Sequence, residues 1–129
     1  MALVPTLTLN DTTTFSDVIN FSVTDSLTTA APAQALSLET VTTTGGNHII
    51  IAAGTAVAYL FVRHTGTTDG ATWTAQLLDL ENTDNEAFAR LGAGEFLFMP
   101  FCHAGASVGV QLQSASGNIQ VEYAYWTKG

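Results

Sequence analysis

Residues 90–102, Arg-Leu-Gly-Ala-Gly-Glu-Phe-Leu-Phe-Met-Pro-Phe-Cys, constrain the fold more than any other part of the chain. A turn at Gly92 and Gly94 feeds the apolar run Phe96, Leu97, Phe98, Met99 and Phe101. Successive side chains of a strand point to opposite faces, so this run is apolar on both and demands cover on both sides, as an inner strand of a β-sandwich does. Glycine fits the turn because a tight reversal needs positive φ, and Pro100 fits a strand end because it has no N–H for the ladder. Residues 57–64 repeat the pattern, with Tyr59 and Phe61 alternating with Leu60 and Val62.

The remaining segments are read from alternation with a period of two and from turn signals. Residues 3–9 place Leu3, Leu7 and Leu9 on one face and Val4, Thr6 and Thr8 on the other. Pro5 between them marks residues 1–12 as an N-terminal arm or an edge strand. Residues 13–23 set Phe15, Ile19, Phe21 and Val23 against Thr14, Ser16, Asn20 and Ser22. Residues 24–35, rich in Ser, Thr and Ala around Pro32, have no clear period and read as a long loop or crossover. Gly45-Gly46-Asn47 predicts a hairpin between residues 36–44 and 48–52, and residues 115–117 predict another between 107–114 and 118–127, with Gly117 at positive φ. Strands are also expected over residues 72–80 and 87–91. The reading is an all-β, single-domain antiparallel β-sandwich over residues 1–129, jelly-roll-like, of about nine short strands, with Phe61, Phe96, Phe98, Val110 and Val121 in the core.

Composition narrows the partners. Charged residues are 11% of the chain, against roughly 25% in an average soluble domain, while 47% are hydrophobic. The surface is then mostly hydroxyl and amide, with part of it covered by partners, and a homo-oligomer is expected. Arg63, Arg90 and Lys128 are the fixed cations in a chain of net charge −8, which leaves too little to neutralise a phosphate backbone and argues against nucleic acid. Cys102 is the single cysteine, so neither an internal disulfide nor a Cys₄ zinc site can form in one chain. The start, Met-Ala-Leu-Val-Pro, lacks the basic and unbroken apolar regions of a secretory signal, and no apolar run approaches the ~20 residues of a membrane span. A soluble chain without membrane insertion is expected.

Candidate chemistry is sparse. Asp79, Glu81, Asn82, Asp84, Asn85 and Glu86 crowd residues 79–86, an oxygen density that suits Ca²⁺, though the spacing is not that of an EF-hand and Asn and Asp are ordinary turn residues. Cys102 and His103, with His48 and His64, make a zinc set or a nucleophile and base only if the chain turns after Pro100, because neighbours along a strand face apart. Nothing selects two of the eleven acids as a glycosidase pair. Trp73, Trp126, Tyr123 and Tyr125 suggest a sugar-stacking platform, but Tyr123 and Tyr125 share a face with Ile119 and Val121, which points to the core. Trp126 looks outward, as an interface anchor does. Leu3, Val4, Leu7, Leu9 and Trp126 are therefore the candidate partner-interface residues. The chain reads as a protein with no catalytic residues, no metal and no cofactor.

Ala-Tyr-Leu-Phe-Val-Arg-His-Thr-Gly at 58–66, Arg-Leu-Gly-Ala-Gly-Glu-Phe-Leu-Phe-Met-Pro at 90–100 and Val-Glu-Tyr-Ala-Tyr-Trp at 121–126 resemble the small β-sandwich virion proteins of tailed bacteriophages. The resemblance spans residues 57–126. It implies a virion location and a capsid decoration (cement) protein that binds the major capsid protein lattice as an oligomer, a trimer preferred. The alternative it implies is a tail or fibre component that binds host-surface carbohydrate.

Overall fold

Most of the expected strands form where the chain is described; among the described residues thirteen strands are found rather than about nine, and no helix forms. Of the strand expected over residues 72–80, Gln76 and Leu77 lie outside any strand, and the strand that follows is Leu78–Asn82, which runs into the expected turn. The computed structural model describes the backbone at residues 2–10, 20–43, 47–68, 71–72, 76–101 and 108–128. The strands in chain order are β1 (Ala2–Leu3), β2 (Thr6–Asn10), β3 (Asn20–Thr24), β4 (Leu27–Val41), β5 (His48–Ile51), β6 (Tyr59–His64) and β7 (Thr67–Thr68), then β8 (Ala71–Thr72), β9 (Leu78–Asn82), β10 (Ala87–Leu91), β11 (Phe96–Pro100), β12 (Val110–Ser114) and β13 (Ile119–Lys128). One sheet has the order β1-β4-β13-β6-β11 and a second the order β10-β9-β12-β5, while β2 with β3 and β7 with β8 form two-stranded ribbons. All pairs are antiparallel. Among the described residues no helix is long and apolar enough to cross a membrane.

The two larger sheets pack face to face. Val41, Leu60, Val62, Ile119 and Val121 from the five-stranded sheet meet Ile51, Leu78, Leu80, Val110 and Leu112 from the four-stranded sheet in one core cluster, each essentially sealed from water. Burying a Val, Leu or Ile side chain contributes about 1.5–3 kcal/mol, so this shared layer dominates the stability of the sandwich. Its sides close differently. Glu39 of β4 meets His48 of β5 on one side, and on the other Phe88 of β10 meets Phe101 beyond β11 with ring centroids 5.8 Å apart.

Chain order through the sheets corrects several expectations. From β4 onward the eight strands of the two large sheets change sheet at every step except β9 to β10. Neither expected hairpin forms: β4 pairs with β1 and β13 while β5 pairs with β12, and β12 pairs with β5 and β9 while β13 pairs with β4 and β6. Glycine-bearing connections serve an arch between facing sheets as well as a hairpin, and two strands that each have an apolar inner face bury it by facing one another. Residues 27–35, expected in a loop, belong to the 15-residue β4. Pro32 is tolerated there because it lies opposite Trp126 where the β4–β13 register slips, a place where a ladder donor is dispensable.

β11 is an edge strand, not an inner one. Register decides which of its faces turns inward. Leu97 pairs with Val62 and Met99 with Leu60, so these point to the core, and Phe96 and Phe98 point out beside Arg63 and Phe61. Val110 and Val121 are in the core as expected, whereas Phe61 and Phe98 are half-buried on the outer face and Phe96 is 60% exposed. Leu80→Ala is therefore expected to cost about 2–5 kcal/mol, and Phe96→Ala no more than about 0.5 kcal/mol, in urea unfolding at protein concentrations that keep the chain monomeric. Comparable losses at the two positions would contradict this assignment of the core.

Candidate interaction surface

The outer faces of the two sheets differ in chemistry. On the four-stranded sheet Asp79, Glu81, Gln111 and Arg90 form a hydrogen-bonded polar layer. Arg90 donates from Nε to Asp79 Oδ1 at 2.5 Å and from Nη2 to Oδ2 at 3.0 Å, a two-pronged contact that favours the charged guanidinium still further. Gln111 Nε2 donates to Glu81 Oε2 at 3.2 Å and to Asn85 Oδ1 at 2.9 Å, and Asn47 Nδ2 donates to the same Asn85 oxygen at 2.7 Å. The loop between β9 and β10 is bound to itself in the same way. Asn82 Oδ1 accepts the backbone N–H groups of Asp84 and Glu86 at 3.0 and 2.9 Å, and Asn82 Nδ2 donates to Glu86 Oε2 at 2.8 Å. Asn85 occupies the left-handed region at φ 65°, which asparagine tolerates better than most residues. The crowded acids and amides of residues 79–86 thus act as a turn and a ladder, and among the described residues no three His, Cys, Asp or Glu side chains are grouped as metal ligands. Cys102, His103 and Trp73 lie outside the described residues.

On the five-stranded sheet the outer face is apolar. Leu36 and Leu38 of β4 are 64% and 60% exposed, and Tyr59 and Phe61 of β6, Phe96 and Phe98 of β11 and Trp126 of β13 continue the face. Ring contacts stiffen it: Tyr59 lies nearly parallel to Phe98 with centroids 6.0 Å apart, Trp126 meets Phe98 edge-on at 6.3 Å, and Phe61 meets Phe96 at 6.4 Å. Arg63 and Glu122, paired at 3.4 Å, are charged residues on this face. Trp126 points outward as the sequence indicates, and Tyr123 and Tyr125 pack on the core side.

The N-terminal segment extends this face. β1 adds to the outer edge of β4 through Ala2–Thr28 and Leu3–Leu27 pairing, and the N–H of Asp25 donates to Pro5 O at 3.2 Å, which fixes the base of the β2–β3 ribbon. The ribbon reaches across the sheet to β6 and β11, where Pro5, Thr6, Leu7 and Thr8 join Phe61, Phe96 and Phe98 in lining a hollow of about 430 Å³. Its own faces are segregated. Thr6 pairs with Thr24 at 2.9 Å and Thr8 with Ser22 at 3.1 Å through their hydroxyls, while Leu7 opposes Val23 and Leu9 opposes Phe21 on the other side. Of the residues proposed from sequence, Leu3 therefore sits on a sheet edge, Val4 at the ribbon's base, Leu7 and Leu9 on its apolar face and Trp126 on the sheet. Leu36, Leu38, Phe21, Val23, Phe96 and Phe98 were missed, although strands apolar on both faces already signalled a second surface in need of cover.

One titratable group in the interior stands apart. His64 is fully buried, and its Nδ1 accepts the N–H of Gly66 at 3.0 Å, so Nε2 carries the proton and donates to Gln76 O at 3.1 Å. Burial pushes its pKa below the ordinary 6.5, outweighing the hydrogen bond to Gln76 and the nearby Glu95 carboxylate, which act upward. Comparison of the chain with protein-family models, curated proteins and solved structures returned no match.

Two outcomes are expected. Because the folded chain resists protonating His64 and the unfolded chain does not, its contribution is fully present above pH 6.5 and is lost as pH falls below that toward the depressed value. The thermal midpoint of the wild type should then drop more between pH 7.5 and 5.5 than that of His64→Gln, and equal drops would contradict the assignment. Deleting residues 2–9 removes no member of the core cluster and should leave a cooperative melt; a broad, uncooperative transition would show that the segment is needed for folding.

Proposed function

We propose that this chain is a virion structural protein of a tailed bacteriophage, a capsid decoration (cement) protein that binds the major capsid lattice as an oligomer, preferably a trimer. The observation that carries the reading is the division of the sandwich into a polar outer face and an apolar one. A protein that works by covering and being covered needs such a surface, and a chain with few charges cannot hide it behind salt bridges. Resemblance of residues 57–126 to small phage sandwich proteins supplies the particle. The sheet-changing path from β4 to β13 supports reading the two sheets as a jelly roll, an architecture frequent in capsid proteins. On this reading the chain needs no cofactor and performs no catalysis.

A second reading has its own support. Tyr59, Phe98 and Trp126 form a connected aromatic cluster on the face that also carries the Arg63–Glu122 pair, the combination of apolar ring faces and polar groups that a carbohydrate-binding tail or fibre module uses. Mixing the protein with purified phage heads stripped of decoration and, separately, with host envelope polysaccharide distinguishes the two. Saturable co-sedimentation with heads and no retention on polysaccharide are expected. Retention on polysaccharide that Trp126→Ala abolishes, with no head binding, would replace the first reading by the second.

A further inference from the structure

Among the described residues the β2–β3 ribbon is paired only with itself, and all ten of its residues are exposed. An isolated two-stranded ribbon is marginal in water unless its apolar face is covered. Leu7, Leu9, Phe21 and Val23 remain 44–51% exposed, so the sheet of the same chain leaves that face uncovered. The hollow of about 430 Å³ is lined by Pro5, Thr6, Leu7 and Thr8 of the ribbon and by Phe61, Phe96 and Phe98 of the sheet. The ribbon and the sheet therefore each keep apolar side chains that their mutual approach, with Leu7 in the wall of the hollow, does not cover.

We infer that a second copy of this chain occupies the hollow, the apolar face of its ribbon packing on Phe61, Phe96 and Phe98. This rests on the structural-protein reading and names the partner at that surface. Area argues for a protein of this size. Leu7, Leu9, Phe21, Val23 and Phe96, the exposed residues of this contact, together expose on the order of 450 Å², and Val4, Leu36 and Leu38 around them bring the sum to on the order of 750 Å², against the ~800 Å² that each partner gives to a standard interface. Charge permits it. Asp79, Glu81, Asp84 and Glu86 lie on or beside the other sheet, the apolar face holds the neutral Arg63–Glu122 pair, and Asp25 at the ribbon's base and Glu95 beside Phe96 are acids at its margin rather than within it. The hydroxyl ladder Thr6–Thr24 and Thr8–Ser22 gives the docked ribbon a wettable back. Each copy offers both a ribbon and a hollow, so two copies can exchange them in a symmetric pair, and a head-to-tail series closes into a ring where its rotation allows.

Two variants test this by light scattering. Leu9→Glu combined with Val23→Glu spoils the ribbon, and Phe96→Glu spoils the hollow; none of the three residues belongs to the core. The wild type should show a multiple of 13.5 kDa at micromolar concentration, each variant should fall to 13.5 kDa with its cooperative melt kept, and a mixture of the two should regain a complex, because the intact ribbon of one meets the intact hollow of the other. If a charged variant melts uncooperatively, Leu9→Ser with Val23→Ser, or Phe96→Ser, carries the same test. A monomeric wild type at ~100 μM, variants that stay assembled, or a mixture that stays at 13.5 kDa would each overturn the inference. Head binding is read on the same samples: a monomer that binds heads overturns this inference and keeps the virion reading, and an assembled chain that ignores heads does the reverse.

Discussion

Burial of one apolar face against another holds this structure together, and the five-stranded sheet has two such faces where the four-stranded sheet can cover only one. Leu60 and Val62 alternate with Tyr59 and Phe61 on β6, and Leu97 and Met99 with Phe96 and Phe98 on β11. Pairing β11 with β6 in this register commits the aliphatic set to the core and the aromatic set to the surface. The choice is physically sensible. Branched aliphatic side chains interdigitate closely between two sheets, whereas larger rings on an open face bury one another through edge and stacking contacts.

The opposite outer face shows how the chain keeps its acids from spoiling the fold. Asp79 and Glu81 are less than a tenth exposed, and each finds a donor on a neighbouring strand, Arg90 for one and Gln111 for the other. A buried carboxylate without such a donor costs several kcal/mol. Since Asn85 in turn joins Gln111 to Asn47, the layer ties the β9–β10 loop to β12 and to the residue preceding β5. The outcome is a sandwich with a hydrogen-bonded polar layer on one outer face and exposed apolar side chains on the other.

Much of this was legible in the sequence. Period-two alternation locates β6 and β11, β5 and β10 are located by the turn signals that precede them, the parity of residues 119–125 puts Ile119, Val121, Tyr123 and Tyr125 toward the core, and glycine marks positive φ at Gly94 and Gly117. Strand partners were not legible, because Gly45-Gly46-Asn47 and residues 115–117 carry the same turn chemistry whether the chain reverses within a sheet or arches between sheets. β4 was hidden for another reason. Its first half is alanine and threonine around a proline, a composition with no hydrophobic period, and it is strand because β1 and β13 supply ladder partners on its two sides. The surface site was half legible: Leu7, Leu9 and Trp126 stood out locally, but Leu36, Leu38 and Phe96 join them only once register has chosen which face of each strand looks out.

On the function proposed above, the apolar outer face and its ribbon are covered by protein when the chain is at work. Hydroxyl-radical footprinting with mass spectrometry reads this side chain by side chain, comparing the dilute chain with the concentrated or particle-bound one. The account predicts strong protection of Phe96, Leu36, Leu38, Phe21 and Leu9, with Ile49 on the other sheet unchanged. Protection centred on Ile49, or no change at Phe96 in a chain shown to be assembled or bound, would contradict it.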